Sequence, residues 1–356
     1  MDIYVLNGLN GKLDVISTYE SVIWNVQYFG QNDFELVVSA TNSNINLLKP
    51  GAYLVRDNDM HENTYENVMV VQNYKLDFDV ERGWVLTVTG KGLKNDLLKR
   101  RIVWAQTNLS GLAEVAIRQV ITDNIITPAN SDRKIDNFIF DTLNNFSETI
   151  EMQLLGENIA TWIEEICTTY GYGWDIYIKD NKYVFKLYKG TDRSYDQDEV
   201  PPVIFSPEYD NLLTSSYEFN MNEFKNAALV GGEGEGTSQR VATVGTTTGL
   251  NRYEAYIDGS SVSSNGEIIT LETYLQMLEE FGQTQLNQTA FVEKFSGDID
   301  PNGLYTINQD YYLGDIVQID NENGISAVTR IIEIIYAEDE NGFSVVPTFT
   351  EWEVND

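Results

Sequence analysis

A glycine, a short apolar run and an Asp-Asn turn occur twice in this chain, once towards each end, and this duplication limits the folds open to it. Residues 48–58 contain Gly51-Ala52-Tyr53-Leu54-Val55-Arg56-Asp57-Asn58, and residues 311–321 contain Gly314-Asp315-Ile316-Val317-Gln318-Ile319-Asp320-Asn321. A second apolar run follows each copy, at 68–76 and 327–336. An acidic turn with a glycine comes next, at 79–83 and 338–342, and a third run closes each unit, at 84–89 and 343–349. Runs of this length bounded by Gly, Asp and Asn predict strands joined by turns. Two similar β units in one chain give an approximate internal two-fold. A trimer would then present six similar units in a ring, which is the arithmetic of an adaptor between a three-fold and a six-fold assembly.

The chain has 356 residues, 42% apolar and 12% aromatic, enough for two to four folded domains with substantial cores. No apolar run approaches the roughly 20 residues of a membrane span, and the N-terminal Met1-Asp2-Ile3-Tyr4-Val5 reads as the start of a strand, with no signal-peptide core. Lys and Arg total 23 against 55 Asp and Glu, a formal net charge of −32. Contact binding of nucleic acid or of anionic lipid needs clustered cations and is disfavoured. The charge serves solubility, or it provides a surface past which DNA slides without sticking, through like-charge repulsion. The single cysteine, Cys167, rules out an internal disulfide.

Residues 1–100 read as all-β, with strands at 21–29 and 33–38 and hairpin chemistry at Asn7-Gly8 and Asn10-Gly11. A helix capped by Asn108 or Ser110 is predicted to run to about 124, and a second over 157–170, where Ile159, Trp162, Ile163, Ile166, Cys167 and Tyr170 share one face and Gly171 ends it. Strands at 174–178 and 183–188 complete a mixed α+β unit over 101–190. After an acidic, Pro-containing linker at 192–207 come strands at 215–220, 226–231, 240–244 and 253–258. A long helix over 271–295 follows, interrupted by Gly282.

Candidate chemistry is sparse. Gly231-Gly232-Glu233-Gly234-Glu235-Gly236 has the glycines of a phosphate loop but no Lys and no following helix, so it reads as a mobile hairpin tip. Asp298-Ile299-Asp300-Pro301-Asn302-Gly303 resembles the opening of a calcium loop, yet its twelfth position is Gln309 where a bidentate Glu is required. Asp57, Asp59 and His61 lie in one polar loop and read as solvated; Cys167 reads as a core residue. With one His, no nucleophile–base arrangement and no zinc motif can be built. An enzyme is not expected, and no catalytic, cofactor-binding or metal-ligating residue is assigned. A carboxylate pair among the 55 acids is the route left open to a cell-wall hydrolase. Exposed aromatic clusters would indicate a receptor- or carbohydrate-binding protein, but Trp24, Trp84, Trp162 and Trp174 lie in periodic segments that predict cores.

Several segments together resemble a known family. They are residues 79–102, with Trp84-Val85-Leu86-Thr87-Val88-Thr89-Gly90-Lys91-Gly92-Leu93; residues 206–213; residues 226–236; and Tyr312-Leu313-Gly314-Asp315-Ile316-Val317. The chain is similar over nearly its whole length to the tail-hub (baseplate-hub) proteins of long-tailed phages and prophages, the N-terminal hub domain of tail-associated lysins. The resemblance implies an α+β multidomain fold with two related small β-barrel domains and mixed α/β domains, assembled as a homotrimeric ring. It places the first barrel at 1–100, a mixed α+β part at 101–205 with 241–298, and a second, discontinuous barrel at 206–240 with 299–356. Implied partners are the chain itself, a hexameric distal tail or tail-tube protein, and a tip, fibre or tape-measure protein. DNA would pass without specific binding. The location would be the tail tip of the virion, with no membrane span and no cofactor. Family members that degrade the cell wall carry a further domain; the chain stops at Asp356, so a hub without such an activity of its own is expected.

Overall fold

The computed structural model describes residues 1–351 except 267, 290, 291, 298, 301, 302, 322 and 325. The first β region comprises β1 (Ile3–Leu6), β2 (Lys12–Ile16), β3 (Ser21–Gln27), β4 (Asp33–Ser39), α1 (Asn42–Leu47), β5 (Tyr53–Arg56), β6 (Met60–His61), β7 (Thr64–Tyr65), β8 (Met69–Asp79) and β9 (Gly83–Gly92). Next come α2 (Leu93–Lys99), β10 (Thr107–Leu112), α3 (Ala113–Ile121), β11 (Phe138–Phe140), β12 (Thr149–Leu154), α4 (Ile159–Tyr170), β13 (Gly173–Lys179) and β14 (Lys182–Tyr188). The remainder holds β15 (Ile204–Phe205), β16 (Ser216–Asn220), β17 (Ala227–Gly231), β18 (Val241–Val244), β19 (Glu254–Asp258), α5 (Leu271–Asn287), β20 (Val292–Ser296), β21 (Ile316–Asp320), β22 (Ser326–Asp339) and β23 (Gly342–Glu351).

The protein is β-rich and multidomain with few helices, as expected, but the two closed barrels do not form. Strands from both ends of the chain instead join one open sheet of 13 strands, in the order β16-β20-β23-β22-β3-β4-β9-β8-β5-β1-β2, with β21 added to β22 and β15 to β21. The reason is the antiparallel pairing of β22 with β3, from Glu333 opposite Gln27 to Glu338 opposite Val22, which leaves neither unit free to curl back on itself. One core serves both ends. Trp24, Val26, Phe34, Leu36 and Val88 of the first region pack with Val317, Ile331, Ile334, Val345 and Phe349 of the last. Alternation produces this: in β4, Phe34, Leu36 and Val38 point inward while Asp33, Glu35 and Ser39 do not.

A second core lies beside this sheet, where α2, α3 and α4 pack with β13 and β14. Helix α4 begins and ends as its sequence predicts. The Asn158 side chain accepts from the Thr161 N–H, and Gly171 closes the helix in the left-handed conformation, φ +69°. The predicted helix start at Asn108 or Ser110 is displaced: β10 occupies that segment, paired along its length with β12, and α3 begins only at Ala113. The Asn108 Oδ1 accepts from Gln153 Nε2 at 2.8 Å instead of capping a helix.

The third core is formed by α5 against a small sheet, β18-β17-β19. The segment 206–240, expected to lie wholly in the second β domain, is therefore divided, with β16 in the large sheet and β17 in the small one. At Gly282 α5 lies close against that sheet, since a Cβ there would meet Val230 Cγ2 at 2.3 Å. The helix ends at Asn287, short of the predicted 295, and the chain returns as β20 to pair with β16 and β23.

Candidate functional surface: an open sheet face and two free edges

The duplication in the sequence is a duplication of backbone bonds. Gly51 and Gly314 both take positive φ, +91° and +95°. The Gly51 N–H donates to Val71 O at 2.7 Å, and the Val71 N–H donates to Ala52 O at 2.9 Å. In the second unit the Gly314 N–H donates to Ile331 O at 2.8 Å, and the Ile331 N–H donates to Asp315 O at 2.9 Å. Each unit then carries a β-bulge at the same place, between Val71 and Asn73 of β8 and between Ile331 and Glu333 of β22. Both hairpins turn at the acidic segments seen in the sequence, with Asp79 opposite Gly83 and Asp339 opposite Gly342.

Across β3, β4, β9 and the far part of β8 the large sheet has one face on the core and one that is exposed or half-buried; at β1, β5 and the start of β8 the second face is buried as well, where Leu6, Val55, Val68 and Val70 join the helical core. Register places Asn25, Asp33, Lys91, Glu35, Thr89 and Asn73 side by side on this open face. Ile23, Thr87, Lys75, Asp77, Glu333, Thr348, Ser216 and Glu218 continue it. It is a lawn of hydroxyls and amides. Its charges include Asp33, Glu35, Asp77, Glu218 and Glu333 against Lys75 and Lys91, and Lys91 Nζ lies 3.2 Å from Asp33 Oδ2.

At two places the core side of the sheet extends past its core. On the β8–β9 hairpin, Tyr74, Leu76, Phe78 and Trp84 point to the side that holds Val88 and Leu86, yet all four are exposed, Trp84 by 58%. Phe78 and Trp84 pack on each other there, with ring centroids 5.4 Å apart. On β16, Tyr217 and Phe219 are likewise exposed. Trp24, Trp162 and Trp174 are buried as predicted, but Trp84 is not, because its hairpin overruns the core. In the sequence, residues 68–76 read as a strand of the duplicated unit, with no sign that Tyr74 and Leu76 lie on a surface.

The residues weighed for chemistry fall into structural roles. Asp59 is buried in an ion pair with Arg56, Nε to Oδ2 at 2.6 Å, and accepts from Asn67 Nδ2 at 2.9 Å, so it is not solvated as expected. The Arg56 guanidinium also lies 3.6 Å from the centroid of the Tyr336 ring, tying the first unit to the second. His61 is exposed on β6. Cys167 is fully buried, and burial pushes its thiol well above the ordinary range. The loop at 231–236 is not a mobile tip. The Glu233 carboxylate accepts from Ser264 Oγ and N, both at 2.7 Å, and from Ser263 Oγ at 3.0 Å. The Ser264 hydroxyl, ahead of the other partners, holds this carboxyl below its usual range. Of the calcium-like loop, Asp298, Pro301 and Asn302 lie outside the described residues; Asp300 O accepts from the Gly303 N–H at 3.0 Å, as in a plain turn. Among the described residues no group of three His, Cys, Asp or Glu could hold a metal ion.

A duplicated β unit, a shared open sheet and flanking helical lobes define the fold of a phage tail protein. It is shared with the tail protein from Neisseria meningitidis MC58, at 14% identity and TM-score 0.58 over 98% of this chain and 96% of that one. Prophage tail protein gp18 from Listeria monocytogenes EGD-e is similar at 14% identity and TM-score 0.55, covering 100% and 96%. The 43 kDa tail protein of prophage MuSo2 from Shewanella oneidensis is similar at 13% identity and TM-score 0.57, covering 99% and 98%. Among curated protein sequences none matches the chain. Over residues 2–349 the chain matches, and belongs to, the family described as Siphovirus ReqiPepy6 Gp37-like protein. Family and fold together support a structural role in the tail. No described helix is long and apolar enough to cross a membrane.

Proposed function

We propose that this protein is a hub of the phage tail tip, a homotrimer whose six β units form a pseudo-six-fold ring that meets the hexameric tail tube and closes it until the genome leaves. The observation that carries this reading is the bond-for-bond equivalence of the β5–β8–β9 and β21–β22–β23 units within one open sheet. Residues 1–100 with 299–351, β15 and β16 would make the ring; 101–190 and 226–289 would form lobes facing a tip, fibre or tape-measure protein. The open face would line the channel. Short hydroxyl and amide side chains with a modest excess of acid offer DNA no cationic foothold. The role is mechanical and non-enzymatic.

Light scattering on the purified protein, followed by class averages of single particles, tests this. Three times 40.4 kDa with a pseudo-six-fold ring is the expected result. A monomer that also binds glycans would replace this reading with that of a receptor-binding tail protein.

A further inference from the structure

The equivalence of the two units extends to their neighbours. Strand β4 pairs with β9 through Phe34 opposite Gly90 and Glu35 opposite Thr89, while β20 pairs with β23 through Phe295 opposite Phe349 and Ser296 opposite Thr348. Gly90 and Phe349 hold the same place in their hairpins, since each faces the last residue before the bulge, Val71 or Ile331. Strand β20 is thus the second copy of β4. Strand β16, paired to β20 through Tyr217 opposite Phe295, is the second copy of β3, paired to β4 through Trp24 opposite Phe34.

The copies differ in one respect. Strand β3 has its other edge covered by β22, whereas the other edge of β16 pairs with no strand among the described residues. Strand β22 is the second copy of β8. Beyond Met69 and Val70, which β5 covers, and Val71, which bonds to Gly51 and Ala52, the outer edge of β8 also pairs with no strand among the described residues. Burial follows the pairing. On the paired copies Trp24 is 0%, Val26 5%, Ile334 1% and Tyr336 6% exposed. Their equivalents on the open edges, Tyr217, Phe219, Tyr74 and Leu76, are 39%, 53%, 49% and 39% exposed.

We propose that β16 of one copy pairs antiparallel with β8 of the next, in the register that β3 and β22 use within the chain. Glu333 opposite Gln27 becomes Asn73 opposite Asn220; Ile334 opposite Val26 becomes Tyr74 opposite Phe219; Ile335 opposite Asn25 becomes Lys75 opposite Glu218; and Tyr336 opposite Trp24 becomes Leu76 opposite Tyr217. The transferred register sets Tyr74 against Phe219 and Leu76 against Tyr217 on the core side, and the Lys75 cation against the Glu218 anion on the open side. The contact is head-to-tail, and because each chain supplies two of six units it closes at three copies. It covers the exposed edges of β16 and β8, which otherwise invite uncontrolled strand addition. The partner is a second copy of this chain, and the inference rests on the ring reading above.

The test is a Lys75→Cys/Glu218→Cys variant, oxidised and run without reductant. The native thiol of Cys167 is buried and does not compete. Covalent dimers and trimers are expected, with far fewer from Lys75→Cys/Ser216→Cys, whose positions would sit two residues out of register. Both target side chains are exposed in the single chain, so the variants fold. As a second measurement, Lys75→Glu should weaken trimer association about tenfold, and adding Glu218→Lys should restore it. A trimer by light scattering that cross-links only in the shifted pair, or in neither, and whose charge reversal has no effect, overturns this pairing and leaves the hub reading standing. A chain that stays monomeric up to its solubility limit overturns both.

Discussion

Gly51 and Gly314 adopt the same conformation and make the same hydrogen bond, yet they sit in opposite surroundings. A Cβ on Gly51 would meet nothing within 4 Å; one on Gly314 would lie 2.2 Å from the Tyr28 ring. The next residue differs in the same sense. Ala52 makes no side-chain bond, while Asp315 is buried, pairs with Arg193 at 2.7 Å and accepts from the Thr191 and Tyr312 N–H groups at 2.7 and 3.0 Å. The first unit carries its backbone pattern alone. In the second unit the same pattern has become a joint, clamping the segment 190–193 and the Tyr28 corner. Repetition of a fold element fixes its bonds without fixing its duty.

Substitutions can break this contrast. Asp315→Ala should cost the most, about 3–5 kcal/mol, because it strands the Arg193 guanidinium without its buried partner; chemical denaturation measures it, and Ala52→Gly, at the matching position, should cost about 1 kcal/mol or less. Gly314→Ala should cost about 2–4 kcal/mol through strain and overpacking. Gly51→Ala should cost about 1–2 kcal/mol from the positive φ alone. Equal losses at the two glycines would refute the contrast.

A pH scan sharpens it. The first unit leads into buried Lys94, which donates to Gln27 O at 2.7 Å and Trp174 O at 3.1 Å, and burial pulls its ammonium down to about 8 despite Asp175 nearby. The second unit holds Arg330, which burial also lowers but which stays charged. A lysine whose folded value lies below its unfolded one is protonated more readily in the unfolded chain. Its contribution to stability therefore rises as pH climbs from about 8 towards the unfolded value. Lys94→Met should flatten that rise, on the order of 1–3 kcal/mol, measured by denaturation at intervals between neutral and alkaline pH. The smallest effect is expected outside both units. Glu233→Gln should cost about 1 kcal/mol or less, loosening the 231–236 loop in hydrogen exchange. Because that carboxyl is held low, the wild-type contribution is present above the unfolded value and fades as pH falls through the folded one.

The strands of both units were legible because alternation and glycine placement are local signals. What escaped the sequence was set by distant partners. Asn108 and Ser110 have cap chemistry, but a six-residue ladder with β12 outweighs it. The glycines around Glu233 suggested mobility, while the Ser263 and Ser264 groups that pin it lie some thirty residues on. The expected barrels stayed open because β3 found β22. Trp84 follows the core period and overruns the core, since periodicity reports a strand's face and not how far its cover extends. The aromatic surface was readable in principle by laying β16 on β3, but only the pairing of β20 with β23 reveals that alignment.

The seam between β3 and β22 has a consequence for biosynthesis. Gln27 Nε2 donates to Glu333 Oε1 across 306 residues of chain. A ribosome releasing this polypeptide presents β3 with one edge bare until its partner, 306 residues further on, has emerged. Pairings so remote are slow to form, and strands that wait for them are prone to wrong partners. The net charge of −32 would keep nascent chains apart while β3 waits for β22.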